Sequence, residues 1–546
     1  MDAAPRDCFT AWAQPALLIL LLASPLAAQD RINTEGRVLG PPVPVLQSTL
    51  FNSPEADVTL SAMQIFPTDN AWHEDISQRP LLGGGSSAPS DAMIAQISAD
   101  LTSTRRHLVA FFEMNFALTP DVQTPVNINF FNYPAESDPP PYPLPANHPV
   151  ETWPRGTGAL TLTEWQQDIN NSGGDRHSIT AQPGAGLEWE TWQAKLVAGV
   201  GWQASNGAKF DLNSNALRPA GWTSGDAAGL AMFPALVRYD ECQRGVIDHA
   251  MRQVVGVSRT SYLYPATHFA SSSALATRPA MGQRMRLKAA FIVPGTWSVC
   301  EKAVAAAYKK YGALVADNGN FYSISVTPDD RWGANEFNNL TAIALTNFEV
   351  VESTTASTGP RATGAPTAFA GANKSVVVAT ALALNDSTAT GSSLAVLWTK
   401  YAGSGTVTFS NAATLHPTAT FSMAGRYLLE LKLTDPLGHN PAWSVVAVTV
   451  TPACALPASS LQLARLRKGP AGAVILDLTD PNAGTTGYDL YRAAAATRPV
   501  LWNTQLTGAP DADGATPGIQ LNDPALGSPL WFYTAAAKNA CGEGPW

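Results

Sequence analysis

Leu394-Ala-Val-Leu-Trp398-Thr-Lys-Tyr-Ala-Gly-Ser-Gly405-Thr-Val-Thr-Phe409 reads as an apolar strand, a glycine turn and an alternating strand. Ala419-Thr-Phe421-Ser-Met-Ala-Gly425-Arg-Tyr427-Leu-Leu-Glu-Leu431-Lys-Leu-Thr-Asp435 repeats the arrangement. Period-two apolar runs joined by glycine turns build hairpins, and two hairpins in one short segment predict a small β-sandwich. The rest of the chain agrees with a β-rich, modular plan. Its 546 residues exceed one ordinary domain, and 42 glycines and 42 prolines argue for many turns and against a helical bundle. Charged residues reach only 14%, and the 34 Lys plus Arg against 43 Asp plus Glu give a net charge of -9 with no basic run. Nucleic acid is therefore excluded as a partner.

With Trp398 as the buried strand residue and Gly425 turning into the Tyr427 strand, residues 366–452 resemble the PKD-like family of Ig-fold domains. The chain departs from that family in having Ala402-Gly-Ser-Gly405 where Gly-Asp-Gly is commoner. The resemblance implies a spacer or docking module without catalytic residues. Further on, Thr486-Gly-Tyr488-Asp-Leu-Tyr491 and Pro529-Leu-Trp531-Phe-Tyr533-Thr-Ala-Ala-Ala537 alternate as strands, and residues 453–546 resemble a fibronectin type III domain. Leu478 stands where that family usually has a core Trp, and the chain stops at Trp546 where a last strand is expected.

The first residues give an address. Arg6, the apolar run Pro15-Ala-Leu-Leu-Ile-Leu-Leu-Leu-Ala23 and the small residues Ser24-Pro-Leu-Ala-Ala28 have the order of a secretory signal peptide, 1–28. The run is about half the ~20 residues a membrane span needs, so no span is expected after its removal. A secreted or extracellular protein is predicted, with the periplasm or cell surface as alternatives. Removal takes Cys8 and leaves Cys242, Cys300, Cys454 and Cys541 in an oxidising compartment. Three pairings are open, and proximity favours Cys242 with Cys300 and Cys454 with Cys541. The sequons at Asn170, Asn339, Asn373 and Asn385 matter only in a eukaryotic source.

Residues 29–62 show no helical period and are expected to form an extended arm; 63–352 form an N-terminal domain, and 353–365, rich in Ser, Thr, Gly and Pro, a linker. The whole is a multidomain, β-rich chain: an N-terminal α+β domain followed by two Ig-like β-sandwiches. Helices are predicted over 90–101 and 301–311, and strands over 108–115, 126–131, 177–180, 195–200, 236–239, 285–292 and 321–326. Ile65-Phe-Pro-Thr-Asp-Asn70, Gly174-Asp-Arg-His177, Gly221-Trp-Thr-Ser-Gly-Asp-Ala-Ala-Gly229 and Leu236-Val-Arg-Tyr-Asp-Glu241 resemble a secreted bacterial protein family without an assigned activity. That resemblance covers residues 63–352 and transfers no catalytic role.

Chemistry is expected in this block. Asp175 and His177 form a carboxylate and imidazole pair suited to proton transfer, set against a plain turn before a strand. His249 and His268, if brought together by two antiparallel strands, give an acid-base or metal site, but no His-Glu-x-x-His run supports zinc. Asp226 lies in a glycine-rich loop, and Asp317-Asn-Gly319 carries a second carboxylate that also reads as a turn. Ser224 is not in a Gly-x-Ser-x-Gly elbow. Asp211-Leu-Asn213-Ser-Asn215 has alternating oxygen ligands for calcium, yet Ala216 and Trp222 break the EF-hand pattern, and an Asx turn competes. Tryptophans 153, 165, 189, 192, 202 and 222 either stack on sugars or fill half-buried strands. Three readings stay open: a glycan-directed hydrolase or lyase acting on extracellular polysaccharide, a non-catalytic adhesion or carbohydrate-binding protein, and a cell-wall or peptide-directed hydrolase. Convergence of the Asp and His candidates with shifted pKa values would separate the enzymes from the binder.

Overall fold

The computed structural model describes residues 31–40, 42–359, 365–453 and 459–468, and beyond them the strands Val474–Thr479, Gly487–Ala494, Thr504–Leu506, Ile519–Asp523, Trp531–Asn539 and Gly542–Glu543. The signal-peptide reading and the expected Cys454–Cys541 bridge fall outside the described residues.

The chain is multidomain and β-rich, and its N-terminal part is built on mixed sheets with helices. There the strands are β1 (Thr49–Leu50), β2 (Leu108–Phe112), β3 (Ala117–Leu118), β4 (Ile128–Phe130), β5 (Ser178–Gln182), β6 (Leu187–Trp192) and β7 (Lys195–Val197). They continue with β8 (Gly201–Ala204), β9 (Asn206–Asp211), β10 (Met251–Val255), β11 (Arg284–Leu287), β12 (Ala313–Asn318), β13 (Tyr322–Val326) and β14 (Phe348–Val350). The α-helices are α1 (Pro54–Ser61), α2 (Ser87–Ala99), α3 (Leu162–Gln167), α4 (Tyr239–Arg244) and α5 (Val299–Lys310). The central sheet runs β14-β11-β12-β10-β13-β2, with β10 parallel to β12 and β13 parallel to β2. A second sheet runs β1-β3-β5-β6-β9, and a third, smaller one β4-β8-β7.

Alternation on β10 divides the central sheet into two faces. Gln253 accepts a hydrogen bond from the Tyr308 hydroxyl of α5 at 2.6 Å, so α5 covers that face. Arg252, one residue earlier, looks to the opposite face, where it meets Ser325 of β13. The helix that covers the sheet starts two residues before the expected start, behind a capping box formed by Ser298 and Glu301, and ends over Lys309 and Lys310.

Three expectations for local structure are corrected. The arm is not extended throughout: Ser53 caps, Pro54 opens and Glu55 and Asp57 occupy the first turn of α1. Its buried face is Ala56, Thr59, Leu60 and Ser61, half of it polar, which hid the helical period. The strand expected over 236–239 is a single bridge, Val237 to Val326, after which Tyr239 begins α4; Glu241 accepts the Arg238 amide and left-handed Gly245 ends the helix. The strand expected over 285–292 ends at Leu287.

Residues 365–453 fold as two main sheets packed on one core. Trp398, Tyr427, Leu429, Leu431 and Leu433 from one sheet meet Ala419 and Phe421 from the other. The Tyr427 hydroxyl donates to Met423 O at 2.8 Å and accepts from Gly405 N at 3.0 Å. Gly403 has φ +131° and a Cβ there would lie 2.2 Å from the Tyr427 ring, which explains the glycines of this turn. In the third segment Leu478 is buried where the sequence reading looked for Trp.

Residues 31–40 bridge the first two parts. Ile32 and Val38 pack with Leu428, Val445 and Ala447, and the Trp443 indole donates to Thr34 O at 3.0 Å. On the other side Asn33 donates to Asp248 Oδ2 at 2.5 Å and Arg37 to Ser61 O at 2.6 Å.

Candidate functional site

Arg252 is 1% exposed, and no buried guanidinium stays charged without partners. Its partners come from four elements. Asp226 takes Nε and Nη2 in a two-pronged bond, both at 2.9 Å, from the loop between β9 and α4. Asp317 of β12 takes Nη2 at 2.8 Å, Glu113 after β2 takes Nη1 at 3.3 Å, and Ser325 of β13 takes Nη1 at 3.2 Å. Ser325 in turn donates to Glu113. Beside Glu113 lies a second pair, His177 Nδ1 to Glu151 Oε2 at 2.9 Å, with the His177 amide on the same oxygen.

The electrostatics follow from that crowding. Burial pushes the Glu113 carboxyl up to about 7, and the Glu151 charge adds to this, while Arg252 and the Ser325 bond oppose it. Burial likewise raises Asp317 to about 6 with help from Asp226, against the pull of Arg252. Burial alone would lower His177, but Glu151 overrides it and holds the imidazole at about 9. The Asp317 side chain is 24% exposed, whereas Asp226 is 1% exposed, so Asp317 is the member that reaches solvent.

The Asp226 loop is fixed from beneath. Glu190 accepts from Gly225 N at 2.8 Å and Met232 N at 2.9 Å, and Glu188 accepts from Phe233 N at 3.1 Å. A Cβ on Gly225 would stand 2.7 Å from Met232 Cε and 3.1 Å from Glu190 Oε1, so the loop needs glycine for its close approach.

Asp226 and His177 are thus brought into one network, together with Asp317. His268 borders it: Nδ1 meets Ala227 O at 2.8 Å, next to Asp226, and the 268–270 segment is tied to β12 through Asn318 Nδ2 on Ala270 O at 3.0 Å. A carbonyl partner makes Nδ1 the donor and leaves Nε2 as the acceptor of the neutral ring. Asp175 is exposed and accepts from Trp192 Nε1 at 3.2 Å; the carboxylate that holds His177 is Glu151. His249 bonds Glu241 Oε1 at 3.1 Å and Ala250 O at 2.8 Å, and it does not form the expected pair of strands with His268, because β10 pairs with β12 and β13.

Asp211 takes the Asn213 amide at 2.9 Å in an Asx turn, and Asn215 is bonded to Asp69 and Asn70. Among the described residues no group of three or more His, Cys, Asp or Glu is arranged to hold a metal, and no helix is long and apolar enough to cross a membrane. Ser224 donates to Leu230 O at 2.6 Å inside its own loop. Trp189 is buried and the other tryptophans of the stretch are half-buried; Trp165 lies under Arg176 and Trp202 against His148. Cys242 and Cys300 form a disulfide joining α4 to the first turn of α5.

No protein-family model matches the chain, and no curated protein matches it. Parts of the chain match solved structures. The PKD domain from KIAA 1837 protein is 26% identical, covering 15% of this chain and 83% of that one at a TM-score of 0.14. The titin domains Z1Z2 in complex with telethonin are 18% identical, covering 33% and 91% at 0.14. The chicken CNTN1 FN1–FN3 domains are 13% identical, covering 36% and 71% at 0.12. These matches assign no family.

Proposed function

We propose that this is a secreted modular enzyme that cleaves an extracellular or cell-wall glycan by acid-base chemistry in its N-terminal domain, with PKD-like and fibronectin-like sandwiches as spacers or docking modules. The observation that carries the reading is the convergence of Asp226, Glu113 and Asp317 on one buried arginine, with the solvent-facing member raised to about 6. A carboxyl that keeps its proton up to about pH 6 can serve glycan cleavage as a donor to the leaving oxygen. Asp317 is that donor. His268, whose Nε2 accepts, is the second proton carrier at the rim. Asp226, Arg252 and Glu113 are positioning residues that set the charge around Asp317.

The test is release of reducing ends from chitin, xylan, β-glucan and peptidoglycan by the full chain. Asp317→Asn is expected to lower release at least about a hundredfold, and wild-type release should fall as pH rises above 6 and Asp317 loses its proton. Retention of a polymer without products would convert the reading to a binding module. Unchanged release by Asp317→Asn would overturn the assignment of the donor.

A further inference from the structure

The donors of Arg252 are fully spent inside the protein. A guanidinium has five N–H groups, and here Nε serves Asp226, Nη2 serves Asp226 and Asp317, and Nη1 serves Glu113 and Ser325. Nothing on this arginine remains to greet an incoming carboxylate. The surrounding network counts four carboxyl groups, on Glu113, Glu151, Asp226 and Asp317, against two cationic side chains, Arg252 and His177, and its negative charge exceeds the positive once pH passes the values near 6 and 7 at which Asp317 and Glu113 lose their protons.

A neutral polar group shares this face of the sheet. Ser323 pairs with Val254, and Val254 pairs with Asp317, so the three side chains lie on one face. The Ser323 hydroxyl is buried and meets no hydrogen-bond partner among the described residues. Such a hydroxyl matches a sugar hydroxyl, which both donates and accepts, better than it matches a charged group.

We infer that the Arg252 site accepts uncharged or amino-bearing sugars and rejects uronates. This rests on the glycan-cleaving reading above and narrows it. With its donors spent on the protein's own oxygens, Arg252 offers no N–H to neutralise a uronate carboxylate, and the step proposed is hydrolysis. Water adds across the glycosidic C–O bond, with the Asp317 proton going to the leaving oxygen and a proton from the water restoring the acid.

Titration calorimetry of the full chain with glucosamine, N-acetylglucosamine and galacturonate oligomers of matched length tests this, with product analysis on the same samples. At pH 7, where Asp317 has lost its proton, glucosamine oligomers should bind tightest and galacturonate oligomers about tenfold or more weaker than the neutral ones. Asp317→Asn should compress that order. Ser323→Ala, which removes a hydroxyl and no charge, should weaken all three alike by a few-fold. Galacturonate binding as tightly as the neutral oligomer, or cleavage of galacturonate, overturns the inference while leaving glycan cleavage standing. The expected order without any products removes cleavage and retains the charge selection. No binding to any of the three removes both.

Discussion

Replacing Glu113 by Gln isolates the cost of an ionised carboxyl inside the Arg252 network. Gln keeps the oxygen that faces Arg252 and Ser325 and has the shape of the protonated acid. The native carboxyl is raised from 4.5 to about 7, so between those values the folded state holds a proton that the unfolded state has lost. Stability from this group is therefore present below pH 4.5 and disappears as pH rises through 7. Each pKa unit is worth about 1.4 kcal/mol, which makes the loss about 3 kcal/mol, an order-of-magnitude figure. Hydrogen exchange of β10 and β13 amides, compared at equal pH so that intrinsic exchange cancels, reads it directly. At pH 4 the two proteins should be protected alike. At pH 8 Glu113→Gln should open about a hundredfold less often. His177 also titrates over part of this range and interacts with Glu113, so its titration is followed in both proteins and its share subtracted. Profiles that run parallel from pH 4 to 8 would refute the claim that burial of Glu113 carries the charge cost.

Further perturbations test other parts of the fold. Glu151→Gln removes the partner of His177, which burial alone would drive towards neutrality; a loss of about 3 kcal/mol is expected, larger at pH 6 than at pH 10 because His177 contributes below 6.5 and ceases to as pH passes 9. Serine at both Cys242 and Cys300 opens a loop closed across 58 residues, and chain entropy sets the loss at up to about 4 kcal/mol, measurable by denaturant unfolding. Val38→Asp places a carboxylate among Leu428, Val445 and Ala447. It should free the first segment from the second module, seen as a larger radius of gyration in solution scattering, with the Trp398 core unaffected.

What was legible in the sequence was what local periodicity encodes. The Trp398 and Tyr427 strands, both long helices and the Cys242–Cys300 pairing depend on residues close along the chain, or on one close pair. β10 and β12 were missed for a physical reason. Both are covered on two faces, so Met251-Arg-Gln-Val-Val255 shows no apolar-polar alternation, and its two polar side chains are satisfied by tertiary partners that no window of sequence contains. α4 was missed, and a strand was expected just before it over 236–239, because Leu236-Val-Arg-Tyr is apolar and β-prone, while the signal for helix lay in the cap at Glu241 and the stop at Gly245.

The site was half visible for the same reason. Asp226, His177 and Asp317 drew notice as polar residues in turns, but Glu113, Glu151 and Arg252 join them only because β10 lies between β12 and β13 in the sheet, an order that the chain does not follow. One signal was present and passed over. Leu187-Glu-Trp-Glu-Thr-Trp192 alternates, which puts Glu188 and Glu190 on one face of a strand with Trp192, and Leu187, Trp189 and Thr191 on the other; two acids in phase must meet water, find a cation or share a proton between them. Both are fully buried. Among the described residues Glu188 Oε2 meets no donor; a proton on that oxygen, shared with Glu190, satisfies it, and burial raises both groups. The ionised oxygens of Glu190 are then free to hold Gly225 and Met232, the two ends of the loop that delivers Asp226 to Arg252.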